Sequence, residues 1–262
     1  MEMCTPTILS TNLAHELAPK KLVENHPGLP TERLPFTIRR VETEDSLWKA
    51  IGIRHAAYAR HVPEFARTLA VPEASDYEDD SIVLLAESKL DGTAIGTARI
   101  QTNAFGPLHL EESIALPDWL QGRRLAEVTR LGVTEGRIGH VVKVALMKAF
   151  FQYWEQSGTE FAIATGRAPI DRQYEQLMFS DVFEPGQMIP LRHVGNMPHR
   201  VMAFEIATAE ARWTAAKHPL LKFVRQTSHP DIQIGELRTR HKMKAPVRPN
   251  VAVEHHRSFA MA

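Results

Sequence analysis

Phe36-Thr-Ile-Arg-Arg-Val41 alternates apolar and polar residues and predicts a first strand. Ser81–Glu87 and Ala94–Gln101 predict a hairpin, because Leu90-Asp-Gly-Thr93 between them carries the Asp-Gly pair of a tight turn. Leu125–Thr134 predicts a longer strand, and Phe161–Thr165 a short buried one. Met188–His193 and Val201–Ile206 predict two more. Helical spacing fills the gaps. A helix from Leu47 to about Arg60 follows a cap at Asp45 or Ser46, and it places Arg54 and Tyr58 on one face. Val142, Ala145, Leu146, Ala149, Phe150 and Tyr153 form a wide apolar face over His140–Ser157, with Gly158 as the stop and Lys143, Lys148 and Gln152 solvated. Pro169 suits the first turn of a helix running to about Phe179, and a terminal helix fits Ala207 to about Arg225. The order predicts a mixed sheet with helices on its faces.

The flanks lack this periodicity. Residues 1–35 contain Pro6, Pro19, Pro27, Pro30 and Pro35 and read as an N-terminal arm. Leu9, Leu13, Leu17 and Leu22 can line a short helix there, capped by Asn12. Residues 36–227 form the domain, and 228–262 read as a flexible tail mixing Pro, His, Arg and Lys. Within the domain, residues 104–120 read as loop with a short helix. An acidic loop ends in Asp76-Tyr-Glu-Asp-Asp80.

A formal net charge of zero gives no global attraction to nucleic acid or an anionic membrane, so a charged partner must meet a local patch. One cysteine, Cys4, excludes an internal disulfide framework and a thiolate metal cage. No apolar run is long enough for a transmembrane segment, and no basic-then-apolar leader opens the chain, so a cytoplasmic protein is expected. There is no Gly-x-Ser-x-Gly elbow, phosphate loop or dinucleotide fingerprint. His193 and His199 share a hairpin, but no cysteine or helix-spaced carboxylate joins them into a zinc site, and His255-His256 read as solvated.

The strand Leu125–Thr134 carries an acid and a base among residues that suit a sheet. Strict alternation puts Glu127, Thr129 and Leu131 on one face and Val128 and Arg130 on the other. Glu127 and Arg130 share a face only if an extra residue bulges the strand. Such a bulge also frees backbone N–H groups near Leu131, Gly132 and Val133 to point at a ligand. The alternative is an edge strand with solvated charges.

This order and this strand resemble the GNAT acyltransferase superfamily, and within it the bacterial N-acyl amino acid synthases of the FeeM type, relatives of the acyl-homoserine-lactone (autoinducer) synthases. Four features carry the resemblance: Arg54 and Tyr58 four apart, Asp76 and Asp79 three apart ahead of a strand with Asp80 as the alternative to Asp79, Arg99 on the second hairpin strand, and Glu127-x-x-Arg130. The resemblance implies a GNAT-like, mostly antiparallel α/β (α+β) sheet flanked by helices. It also implies a fatty acyl group moving from an acyl carrier protein thioester to the amine of an amino acid.

The donor then brings its own pantetheine arm, and no resident cofactor or metal is implied. Glu127 is the implied base, with the structural alternative of an arginine partner. Arg54, Asp76, Asp79, Arg99 and Arg130 are the implied substrate-binding set, or else an ion-pair network bracing the acidic loop. Phe150, Phe151 and Trp154 belong to the core or line an acyl tunnel. Arg137, Lys143, Arg167 and Arg172 are a basic dock for the acidic carrier protein.

Two features depart from the superfamily. Thr134-Glu-Gly-Arg-Ile-Gly-His140 lacks the spacing of a coenzyme A pyrophosphate loop, and Glu135 repels phosphate, which favours the carrier protein as donor. Tyr174 and Phe179 keep the spacing of a Tyr-x-x-x-Gly-Phe pattern that supplies a catalytic phenol, but Met178 replaces the glycine. The competing functions are a lactone synthase using S-adenosylmethionine, a coenzyme A-dependent acetyltransferase, and a degenerate ligand sensor.

Overall fold

The computed structural model describes residues 28–236; Cys4, the Leu9–Leu22 helix and His255-His256 lie outside them. The hairpin predicted at Asp91-Gly92 joins strands β2 (Ser81–Ser88) and β3 (Ala94–Thr102) at the centre of one mixed sheet. Strand β1 (Phe36–Arg40) pairs antiparallel with β2, and β4 (Leu125–Val133) pairs antiparallel with β3. Beyond β4 lies β5 (Phe161–Gly166), its parallel neighbour, then β8 (Met197–Glu205), antiparallel to β5. The short strands β6 (Ser180–Asp181) and β7 (Ile189–Leu191) both pair with β8. Most pairings are antiparallel, and helix α3 (Gly136–Ser157) supplies the crossover that parallel β4 and β5 require.

Local chemistry sets the helix ends. Thr43 and Ser46 each accept the other's backbone N–H at 3.2 Å, which starts α1 (Glu44–Ala59) ahead of the predicted cap. Leu47, Ala50, Ile51, Arg54 and Ala57 form its buried face. Gly158, at φ 67°, ends α3 in the left-handed conformation. The two long helices pack on opposite faces of the sheet, and a glycine admits each one. A Cβ on Gly96 would stand 2.4 Å from Val142 of α3, and one on Gly132 would stand 2.9 Å from Ala57 of α1. On the α3 side Phe151 packs against Trp154 and Trp213 at ring separations of 5.0 and 4.9 Å, so these aromatics belong to the core.

Four details differ from the sequence reading. The polar stretch after α1 holds a further short helix, α2 (Pro63–Thr68). Pro169 caps rather than enters α4 (Ile170–Gln176). The terminal helix is two pieces, α5 (Ala209–Ala215) and α6 (Leu220–Arg225), because Lys217 takes φ 49° and Pro219 cannot continue a helix. Residues 228–236 are not loose: β9 (Ile232–Gln233) pairs parallel with β1, and Ile232 and Ile234 enter the core.

Lys148, read as solvated, is only 4% exposed and clasps this segment. Its Nζ donates to the Phe223 and Thr227 carbonyls and to His229 Nδ1, the last at 2.9 Å. Burial, with the Arg225 charge adding to it, pulls this amine down to about 8. Lys148→Met should leave three buried acceptors without a donor, at a cost of about 3 kcal/mol by urea denaturation. Amide exchange at Ile232 should accelerate with it. Unchanged stability would mean the clasp contributes nothing.

Candidate active site

Helix α1, strand β3 and strand β4 each bring one arginine to a common point beneath the 3-10 turn Ala74–Asp76. Arg54 grips Asp76 with both guanidinium arms, Nη1 to Oδ2 at 3.0 Å and Nη2 to Oδ1 at 2.8 Å. Arg99 donates from Nη1 to Asp76 Oδ1 at 3.2 Å and to Glu73 Oε2 at 3.1 Å, and from Nε to Thr129 Oγ1 at 3.3 Å. Arg130 takes Glu73 from Nε at 2.6 Å and from Nη2 at 2.7 Å, and its guanidinium lies 5.3 Å from the centre of the Phe65 ring. Burial opposes the Glu73 charge, but the hydrogen bonds and charge of Arg130, then Arg99 and Arg54, outweigh it and hold the carboxyl below its ordinary value. The same balance, led by Arg54, lowers Asp76. The Arg54–Tyr58 pair and Arg99 and Arg130 therefore meet as the spacing implies. Asp79 does not join them; it lies exposed in the turn ahead of β2. Its place is taken by Glu73, three residues before Asp76 instead of three after.

Strand β4 carries the predicted irregularity. Arg99 faces Thr129 and Thr97 faces Gly132, so two residues of β4, Arg130 and Leu131, stand opposite one of β3. Arg130 adopts φ 56°, a conformation rare outside glycine, and this turns its side chain to the face that holds Thr129. On its other edge β4 follows β5 only as far as Val128–Ala164. From Thr129 to Val133 no strand among the described residues covers that edge, and the sheet opens there. Leu131 and Tyr174 line the opening, with Val128, Ala164, Phe150 and Trp154 behind them around an apolar cavity of about 10 Å³. Gly132 and Val133 remain paired with β3, and Val133 O accepts from Arg60 at 2.7 Å.

Glu127 is 0% exposed, and neither carboxylate oxygen has a hydrogen-bond partner. The nearest ring is His193, from the turn after β7, with Nε2 at 3.4 Å from Oε1. Both imidazole nitrogens are otherwise unpartnered, and the His193 carbonyl accepts from Arg130 Nη2 at 2.9 Å. The sequence reading did not bring His193 to this site, since no periodicity links it to β4. Its hairpin neighbour His199 donates to or accepts from nothing on Glu127; its Nδ1 lies 2.8 Å from the Met197 carbonyl, and burial lowers its affinity for a proton. Among the described residues no group of three side chains can hold a metal ion.

Tyr174 packs its ring on Gly166 and, at 5.6 Å, on Phe179. Burial raises its phenol far above the ordinary value, with Tyr58 and Glu127 charges adding to the shift, so it stays protonated and able to donate. Tyr58 is raised too, by burial against the opposing pull of Arg130. Around the mouth, Arg137, Arg167 and Arg172 are exposed. Lys143 is half-buried and bonded to Gln173 at 2.7 Å, tying α3 to α4. Glu135 stands at the α3 N-terminus with Arg60 3.4 Å away.

No protein-family model matches the sequence, and no curated protein does. Solved structures match the architecture. The N-acyl amino acid synthase FeeM from uncultured soil microbes superposes with a TM-score of 0.52 at 16% identity, over 70% of this chain and 96% of its own. The chain shares the fold of that synthase. Looser likenesses are a coenzyme A-dependent acyl-homoserine lactone synthase, BjaI, at TM-score 0.49, 18% identity, 74% of this chain and 93% of its own, and an N-acetyltransferase from Lactobacillus plantarum at 0.47, 16%, 66% and 99%. In this sheet the bulge and the parting of β4 from β5 fall at neighbouring residues, beside the arginine network.

Asp76→Asn should remove one charge from a fully buried pair and lower stability at neutral pH by about 3–5 kcal/mol. The folded values of Glu73 and Asp76 lie below the ordinary 4.5 and 3.8, so their stabilisation is complete above those ordinary values and is lost as pH falls through the lower folded ones. Acid denaturation followed by circular dichroism should therefore be steep below about pH 4 in the parent chain and shallower in Asp76→Asn.

Proposed function

We propose that this chain is an N-acyltransferase that moves a fatty acyl group from an acyl carrier protein thioester to the amine of an amino acid. The observation that carries the reading is Glu127: a buried carboxylate without a hydrogen-bond partner, on the strand that loses its neighbour one residue later. Such a group is costly to keep unless it has work to do, and proton removal from an ammonium is the work a carboxylate suits.

The charges favour a zwitterionic acceptor. Among the described residues, Arg54, Arg99 and Arg130 meet two carboxylates in direct contact, Glu73 and Asp76, three positive charges against two negative. An amino acid can direct its carboxylate toward that excess and its ammonium toward the Glu127–His193 pair. The lining of the β4–β5 opening is apolar, as the acyl end of a thioester requires, and its cavity of about 10 Å³ has to widen to admit one. Loss of the acyl thiol needs a proton, and the Tyr174 phenol at the same opening can donate one. The thioester oxyanion would be met by main-chain donors of Leu131 to Val133, where the uncovered edge of β4 lies.

The donor reading rests on the surface. Glu135 places a negative charge at the helix end where a pyrophosphate would sit, whereas Arg137, Arg167 and Arg172 suit an acidic protein. Asp79, exposed and outside the cluster, has no part in this scheme. The reading requires no resident cofactor.

Incubation of the full chain with acyl carrier protein loaded with fatty acyl groups and with the common amino acids should release thiol and yield N-acyl amino acids by mass spectrometry. Glu127→Gln should lower kcat about 10²- to 10⁴-fold. Thiol release no faster than background hydrolysis, with every carrier and coenzyme A donor, would sink the proposal. In a second assay, Arg137→Glu and Arg172→Glu should raise KM for the carrier protein while sparing a short acyl-pantetheine. Equal effects on both donors would remove these arginines from the dock.

A further inference from the structure

Glu127 has no exposed surface. His193 stands at 3.4 Å from it as the outer member of the pair: its side chain keeps 7% exposure while both ring nitrogens are covered, so a substrate ammonium has to displace that cover to reach Nδ1. The ring is fixed from behind: Arg130 holds the His193 carbonyl, and the next residue, Val194, is buried. An unpaired carboxylate and an unpaired imidazole facing each other in a buried place each cost stability, and together they form a base whose positive form has a counter-charge waiting. We propose that His193 is the group that takes the proton from the substrate amine, with Glu127 orienting the ring and stabilising the imidazolium. This rests on the acyltransferase reading and assigns Glu127 the supporting role within it.

The steps balance. With the hydrogen on Nε2 directed at Glu127, Nδ1 presents its lone pair. The ammonium gives one proton to Nδ1 and becomes a neutral amine. The amine lone pair forms the C–N bond at the thioester carbon, and the oxyanion collapses with cleavage of C–S. The remaining excess proton on nitrogen passes to the departing sulfur, and the imidazolium returns its proton to solvent. Ammonium and thioester become amide, thiol and one free proton. Glu127 of β4 faces the ring, Arg130 of β4 holds the carbonyl of the same residue, His199 of β8 lies close enough to feel its charge, and Tyr174 of α4 lies near Glu127.

The test uses two nucleophiles on the full-length chain, with thiol release as readout: an amino acid, protonated at neutral pH, and hydroxylamine, which arrives neutral. His193→Gln and His193→Asn should each lose about 100-fold or more in kcat with the amino acid. Their loss with hydroxylamine should stay under about tenfold, since no first proton has to be removed. Raising the pH should recover part of the amino acid rate in both variants as free amine accumulates. Glu127→Gln should show the same split. Thermal unfolding of each variant separates damage to the fold from damage to the relay. Equal losses with the two nucleophiles in folded variants, without recovery at high pH, would overturn the assignment of His193. An inactive parent chain with both nucleophiles would overturn the acyltransferase reading and the relay with it.

Discussion

Three guanidiniums held out of water beside two carboxylates constrain everything else in this structure. Taking such groups from water costs several kcal/mol per ion, and geometry must return it. The bidentate Arg54–Asp76 and Arg130–Glu73 pairs do so, and Arg99 bridges the two acids. Each arginine comes from a different element, so the ion pairs lock α1, β3 and β4 to the 3-10 turn in one arrangement. Apolar packing alone, being non-directional, would leave that turn free to slide. The network also fixes local charge. Two acids against three bases favour a third anion nearby, which either Glu127 or a bound carboxylate supplies.

That lock explains why the sheet can afford to open beside it. The residues of β4 beyond Val128 have given up one neighbouring strand, and Arg130 sits at a positive φ that a side chain tolerates poorly. Both features weaken a ladder. They persist because the Arg130 side chain is tied at its end to Glu73 and to the His193 carbonyl. Strain in the backbone is thus held by charge in the side chains. The outcome is a break in the sheet with a small apolar cavity behind it and the arginine network beside it.

Much of the fold was legible because periodicity reports one-sided burial. Strands β1 to β5 and helices α1 and α3 stand within a few residues of the sequence reading, and the bulge followed from placing Glu127 and Arg130 on one face. What failed was chemistry that periodicity does not encode. Lys148 sits at a polar position of α3, yet its amine is buried under a segment more than 70 residues away in sequence. Pro219 was a readable break that the helical pattern of its neighbours concealed. Glu73 was readable too, as the acid three before Asp76; Asp79 offered the same spacing on the other side, and only the direction of the 3-10 turn separates them. His193 carried no signal, because its meeting with Glu127 depends on how a hairpin from the far edge of the sheet folds back.

The Glu127–His193 pair draws these strands of argument together. A buried carboxylate among arginines would ordinarily settle into the network as another ion-pair partner. Glu127 has not done so: its hydrogen-bond capacity is unspent, while Glu73 and Asp76 use theirs on the guanidiniums. The partners of Arg130 account for the difference. The bulge brings Arg130 to the face of Glu127, but its guanidinium is spent on Glu73 and the His193 carbonyl, and the group left beside Glu127 is an imidazole. A guanidinium cannot give up a proton at neutral pH, whereas an imidazole can. Glu127 is therefore left facing an imidazole rather than a permanent counter-ion, beside the place where the sheet has already opened.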